Sequence, residues 1–239
     1  MYKNLFIILS LTIYLCCSIN VAKADRRSYA WTYEYLIMDK GQSELESYMT
    51  LSSPDLKEMK GKTTTEMLYE YEIGMTENFD FGIYQSFKQS PSSSYQYDGY
   101  KLRARYKVGE KGNLFIDPLI YAEYSGKPDF SEHELELKLI LSKDFGDLNI
   151  DLNPIVEFAK EEKEWETLIG YSFGMKYSPS YLMSFGIELK GDKNGNYIGP
   201  TISHGNHNAW VVLGSMFKIS EIKDNQPEMY VRLLMGFAL

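Results

Sequence analysis

Residues 66–75 read Glu66-Met67-Leu68-Tyr69-Glu70-Tyr71-Glu72-Ile73-Gly74-Met75. Taken in alternation, Met67, Tyr69, Tyr71, Ile73 and Met75 fall on one side, and Glu66, Leu68, Glu70, Glu72 and Gly74 on the other. A helix would spread the carboxylates around its circumference, whereas a strand places them on one face. The stretch is therefore a strand with one apolar and one charged face.

The pattern continues along the chain. Leu102, Ala104, Tyr106 and Val108 alternate with Lys101, Arg103, Arg105 and Lys107, and Leu135, Leu137, Leu139 and Leu141 alternate with Glu134, Glu136 and Lys138. Further on, Leu148, Ile150, Leu152, Pro154, Val156 and Phe158 oppose Asn149, Asp151, Asn153 and Glu157. Charged faces this dense do not form a dry core. They suit either a soluble antiparallel sheet wetted on one side or a barrel with lipid outside and a polar lumen.

Length favours the barrel. Twelve runs are predicted, at 42–51, 65–75, 79–87, 97–108, 113–124, 133–142, 147–158, 165–178, 181–190, 196–204, 208–219 and 228–239. Most exceed the usual strand of a soluble sheet and match tilted membrane strands. Connections are expected to alternate between short turns (76–78, 109–112, 143–146, 179–180) and longer polar loops (88–98, 125–131, 159–164, 191–196), as in outer-membrane barrels. The fold expected is all-β: an antiparallel up-and-down transmembrane β-barrel of about 12 strands. A thirteenth run, Tyr29 to Met38, is assigned with residues 25–41 to a periplasmic or lumen-entering segment.

At the N-terminus, Leu5 to Cys17 is apolar and is followed by Ala22-Lys23-Ala24, a cleavage-type tripeptide. Residues 1–24 are expected to be a cleaved signal peptide, with 25–239 the barrel domain of a Gram-negative outer-membrane protein. The apolar stretch is too short for a spanning helix. Cys16 follows Tyr14-Leu15, which argues against lipidation, and both cysteines lie in the leader, which excludes thiol chemistry beyond it. Without Lys3 and Lys23, 23 basic residues face 33 acidic ones, so nucleic acid is not an expected partner. Tyrosine occurs 20 times, and mean hydropathy is −0.33.

The last strand carries Met229, Val231, Leu233, Met235, Phe237 and Leu239 on one face. It resembles the terminal strand by which the barrel assembly machinery recognises its substrates, although such strands usually end in Phe or Trp. Thr32-Tyr33-Glu34 and Lys40-Gly41-Gln42-Ser43-Glu44-Leu45-Glu46 resemble the start of bacterial outer-membrane barrel proteins loosely similar to the phenol meta-pathway transporter family. That resemblance implies location and barrel architecture and supplies no functional residues.

The expected function is a narrow channel or transporter for small solutes, with Lys101, Arg103, Arg105, Lys107, Glu70, Glu72, Glu134, Glu136 and Lys138 as its charged, lumen-lining wall. Four bases on one strand face would guide anions. Alternatively they pair with acids such as Asp117, Glu123, Glu70, Glu72, Glu134 and Glu136, which stabilises a sheet and yields a structural or surface-interaction barrel with a plugged lumen. A third reading is an outer-leaflet lipid hydrolase built on His133 and Ser92, Ser93, Ser94 or Ser131. His204-Gly205-Asn206-His207 has turn composition. Tyr69, Tyr71, Tyr106, Trp165, Tyr177 and Trp210 are assigned to interfacial girdles. Acidic loop residues such as Asp55, Glu58 and Asp129 read as mixed, solvated loop. No cofactor and no metal site are expected; lipid, lipopolysaccharide and a small solute are the expected partners.

Overall fold

The computed structural model describes residues 26–161, 164–223 and 226–239, and the expected leader lies outside them. Twelve strands follow in order: β1 (Ser43–Ser53), β2 (Thr64–Gly74), β3 (Phe79–Gln89), β4 (Gln96–Lys107), β5 (Asp117–Gly126), β6 (Glu132–Phe145), β7 (Leu148–Glu161), β8 (Glu164–Ser180), β9 (Met183–Asp192), β10 (Gly195–Gly205), β11 (Ala209–Lys218) and β12 (Met229–Ala238). Each pairs antiparallel with its sequence neighbours, and β12 pairs with β1 from Glu44↔Ala238 to Ser53↔Met229. The sheet closes, so no edge is left unpaired. In hydrocarbon every backbone group must be paired internally, and a closed barrel achieves this with strands.

The alternation sorts as the apolar runs predict. Leu45, Tyr69, Tyr71, Ile83, Leu102, Leu135, Leu137, Leu139, Ile169 and Phe237 point outward and are exposed, forming an apolar outer band. Glu44, Glu46, Glu70, Glu72, Asp80, Arg103, Asp151 and Glu188 point inward and are buried. The chain is a transmembrane-type, twelve-stranded up-and-down barrel.

Several boundaries differ from expectation for local reasons. The fifth strand begins at Asp117 rather than residue 113, because the Gly112 N–H caps the Asp117 carboxylate at 2.8 Å and Asn113 closes a turn onto Glu110. Residues 108–116 therefore make a long connection where a short one is expected. Conversely, the supposed loops at 159–164 and 191–196 are largely taken up by strand: β7 runs to Glu161 and β8 starts at Glu164, with Lys160 pairing Trp165, and Asp192 pairs Gly195 across a turn at 193–194. Strand β8 runs through Pro179, with a bulge between Tyr177 and Ser180. Pro154 lacks the N–H that would face β6, and the β6–β7 ladder skips from Lys138↔Ile155 to Leu141↔Leu152. Pro200 leaves the same kind of gap between Ile198↔Phe217 and Thr201↔Gly214.

Residues 26–41 lie inside the barrel. Among the described residues they make no long strand, yet Tyr29, Ala30, Trp31, Tyr33, Tyr35, Ile37 and Met38 are all at most 9% exposed. They enter β1 at the end that holds Ala238, called here the turn end; the β1–β2 and β11–β12 loops mark the opposite, loop end. Gly174 and Gly214 make room for them: a Cβ at Gly174 would stand 2.6 Å from the Tyr29 ring, and one at Gly214 2.5 Å from the Ala30 Cβ.

Candidate functional site

The four bases of β4 face inward but do not form an open cationic stripe. Arg103 Nη2 lies 3.0 Å from Glu70 Oε1 and 2.6 Å from Glu72 Oε2, with Asp80 at 3.9 Å. Arg105 Nε donates to Asp80 at 3.0 and 3.1 Å, and Arg105 also pairs with Glu72. All five are 2% exposed or less. Lys101 bonds Glu123 on the next strand at 2.7 Å, and Lys138 bonds Glu136 two residues away on its own strand at 2.7 Å. Among the described residues, Lys107, at the turn end, has no carboxylate within 4.0 Å, and Glu134 has no basic nitrogen within that distance. Asp117 serves the 108–116 turn instead of a base.

Glu46, Tyr48 and Asp80 belong to this network although the reading of the sequence did not single them out. The Tyr48 hydroxyl donates to Glu70 at 2.8 Å and to Glu46 at 2.5 Å, and Arg27 Nη1 donates to the same hydroxyl at 2.9 Å. Oxygens of Glu46, Glu70 and Glu72 lie within 4.8 Å of one another, a spacing compatible with a metal ion, but the Arg27 and Arg103 guanidinium groups already supply the counter-charge. Alternation placed Glu70 and Glu72 on one face; which strand meets which across a lumen is a long-range fact that no local pattern carries.

The inward segment is bonded to polar groups of the wall as well as packed against its apolar ones. Successive backbone N–H groups of Ala30, Trp31 and Thr32 donate to the Glu188 carboxylate at 2.8, 2.9 and 2.7 Å. Asn153 accepts from the Tyr33 N–H at 2.7 Å and donates to its carbonyl at 3.0 Å, and the Met38 N–H donates to Asp80 at 3.0 Å. Arg232 Nη1 donates to the Ala30 carbonyl at 3.2 Å, and Lys176 reaches Glu34 and the Ser28 hydroxyl.

Above this floor a cavity of about 300 Å³ faces the loop end. Arg27, Trp31 and Tyr33 form its base; Tyr48, Tyr84, Tyr121, Tyr197 and Tyr230 contribute aromatic walls, and Lys101, Lys138, Lys190, Arg232, Glu123, Glu136, Glu157 and Asp192 the charges. Lys138 Nζ sits 4.4 Å from the Tyr121 ring centre and 4.7 Å from that of Tyr33, a cation–π arrangement.

Among the described residues the expected histidine and serines do not assemble into a catalytic triad. His133 Nδ1 is bonded with the Tyr124 hydroxyl at 2.6 Å, Ser131 donates to Asp129 at 2.7 Å, and Ser93 donates to the Ser90 carbonyl at 2.8 Å. His207 rests against Tyr181 in the 206–208 turn, and His204 is exposed at the end of β10. Of the expected girdle, Tyr69, Tyr71, Tyr106, Trp165 and Tyr177 are exposed, but Trp210 is 3% exposed and points inward. Strand β11 is apolar on both faces, with Val212 and Met216 inside, so alternation alone does not tell its sides apart. Loop acids are held locally: Lys62 pairs with Asp55 and Glu58, the Lys57 backbone N–H holds the Asp55 carboxyl below its ordinary range, and Lys127 pairs with Asp98.

No family model matches the chain, and no curated protein matches it. The resemblance to phenol meta-pathway transporters thus rests on the quoted residues alone. Solved structures do match. The COG4313 outer membrane channel from Pseudomonas putida F1 superposes with a TM-score of 0.66 at 10% identity, covering 86% of this chain and 98% of that one. The KdgM porin, solved in complex with disordered oligogalacturonate, gives 0.52 at 14% identity over 82% of this chain and 99% of that one. At such identities the likeness is one of fold: this chain folds as outer-membrane β-barrels do.

Proposed function

We propose that the chain resides in a Gram-negative outer membrane as a narrow channel for small hydrophilic or amphipathic solutes. Solutes enter from the loop end through the 300 Å³ cavity, and residues 26–41 restrict passage toward the turn end. The observation that carries this reading is the charged and aromatic cavity open beside a segment that is tied to the wall by hydrogen bonds to Glu188, Asn153 and Asp80 as well as by apolar packing. The outer-membrane channel and porin among the similar folds support the same direction.

Of the charged wall, Lys101, Glu136 and Lys138 face the cavity. Glu134 and Lys101 line a second recess at the loop end, while Glu70, Glu72, Arg103 and Arg105 brace the wall beneath. The apolar band meets lipid and the rim lipopolysaccharide, and strand 228–239 is the handle for the barrel assembly machinery. No catalytic step belongs to this reading.

The full chain, purified from outer membranes and inserted in planar bilayers, is expected to give discrete conductance steps. A folded, heat-modifiable but electrically silent protein would instead favour a structural barrel with a closed lumen, a reading to which the many attachments of residues 26–41 lend weight.

A further inference from the structure

Two cations in the cavity lack a charge partner. Lys190 on β9 and Arg232 on β12 have no carboxylate within 4.0 Å among the described residues, whereas Lys101 and Lys138 each hold one at 2.7 Å. Both approach one indole: Lys190 Nζ lies 5.6 Å and the Arg232 guanidinium 5.1 Å from the centre of the Trp31 ring. Lys190 also sits 4.0 Å from the Tyr230 ring and 5.5 Å from that of Tyr197. Arg232 is fixed by bonds from Nε to Thr50 at 2.9 Å and from Nη1 to the Ala30 carbonyl at 3.2 Å. Two like charges converging on one ring inside a barrel repel each other, and an anion between them would relieve that cost.

The rest of the lining qualifies what kind of anion fits. Asp192 and Glu157 line the same cavity toward its rim, and neither is ion-paired among the described residues. They disfavour a polyanion but accept hydrogen bonds from hydroxyl groups. Tyr197, Tyr230 and Trp31 offer flat faces for a ring. A volume of about 300 Å³ equals roughly ten waters of liquid, enough for one monosaccharide-sized molecule.

We infer that this cavity is a binding site for a small hydroxylated carboxylate of the sugar-acid class. Its carboxylate is held by Lys190 and Arg232, its ring lies on Tyr230, Tyr197 and Trp31, and its hydroxyls donate to Asp192 and Glu157. The inference rests on the channel reading for how the ligand arrives, but the site itself does not require conduction.

The test uses the full chain in detergent, with glucuronate, glucose and benzoate as probes followed by calorimetry, and conductance recorded on the same preparation. Glucuronate is expected to bind, with glucose, which lacks the anion, and benzoate, which lacks the hydroxyls, each markedly weaker. Lys190→Met should weaken glucuronate by about 10- to 100-fold, the usual worth of a hydrogen bond to a charged group. Heat-modifiable migration of the variant verifies that it folds, and Glu157→Gln, on β7 two strands from Lys190, should weaken glucuronate relative to benzoate. Equal binding of glucose and glucuronate, or an unchanged affinity in Lys190→Met, overturns the site. Conductance without binding removes the site and leaves the channel; binding in a silent barrel removes the channel and leaves the site.

Discussion

At the scale of single residues, the interior of β4 shows how far charge reading goes. Four bases at alternate positions are plain in the sequence, and so is their common face. Their partners are not, because Glu70 and Glu72 come from a strand two positions away in the barrel and Asp80 from the strand between. Arg103 is the hub, wholly buried against two carboxylates with a third nearby. Removing one partner of a buried ion pair strands the other charges, a cost of about 3–5 kcal/mol. Arg103→Ala is therefore expected to lower the urea midpoint of the barrel strongly, or to prevent its maturation. Lys101→Ala, which frees the single acid Glu123 beside the open cavity, where the Tyr121 hydroxyl still donates to it, should lower it far less. If the two variants unfold together, the network is not the brace described. Arg103→Met combined with Glu70→Gln and Glu72→Gln should recover much of the loss, since replacing a whole buried network with neutral groups is far milder than breaking it.

At the scale of elements, the inward segment decides how much of the lumen is filled. Its apolar run from Tyr29 to Met38 looks like one more strand, and the pattern does not distinguish a strand in the wall from an irregular chain inside it. The difference is set by Gly174 and Gly214, which leave notches in the inner wall, and by Glu188, whose carboxylate collects three consecutive N–H groups. Glu188→Ala leaves those donors buried without an acceptor, each at about 1–3 kcal/mol. The expected result is release of residues 26–41: trypsin cleavage at Arg26 or Arg27 speeds up, mean conductance rises, and heat-modifiability is retained. Gly214→Leu should act in the same direction by steric means, since the added side chain would occupy space held by Ala30 and Trp31. Unaltered proteolysis and conductance in both variants would mean that the segment is held elsewhere, through Asn153 and Asp80.

For the whole molecule, closure and sidedness were legible in the sequence because they follow from repeated local alternation. The number of strands and their order come from counting runs, and the outward faces from their apolar members. Loop lengths were legible only in part: hydrophilic residues at 159–161, 191–192 and 195–196 continue as paired strand, since a barrel rim beyond the apolar band is wet on both sides and polar residues are at home there. The inner face near β11 was hidden because Val212, Met216 and Leu234 pack with Ala30 and Trp31 in an apolar patch where a polar lumen is the default. One comparison separates a barrel in lipid from a barrel in water. Leu137 and Lys138 are neighbours near the middle of β6, Leu137 outward and 41% exposed, Lys138 inward against Glu136. An arginine at Leu137 would face hydrocarbon and cost about 2–4 kcal/mol in a bilayer. The same residue at Lys138 keeps the charge where a carboxylate and the Tyr33 and Tyr121 rings already receive it. Refolding into phospholipid vesicles, followed by urea titration, is expected to show Leu137→Arg destabilised by that amount and Lys138→Arg within about 1 kcal/mol of the parent chain, the span of an isolated, partly wet ion pair. In water an outward arginine on an exposed face would be harmless, so near-equal stability of the two variants would take the outer band out of the membrane.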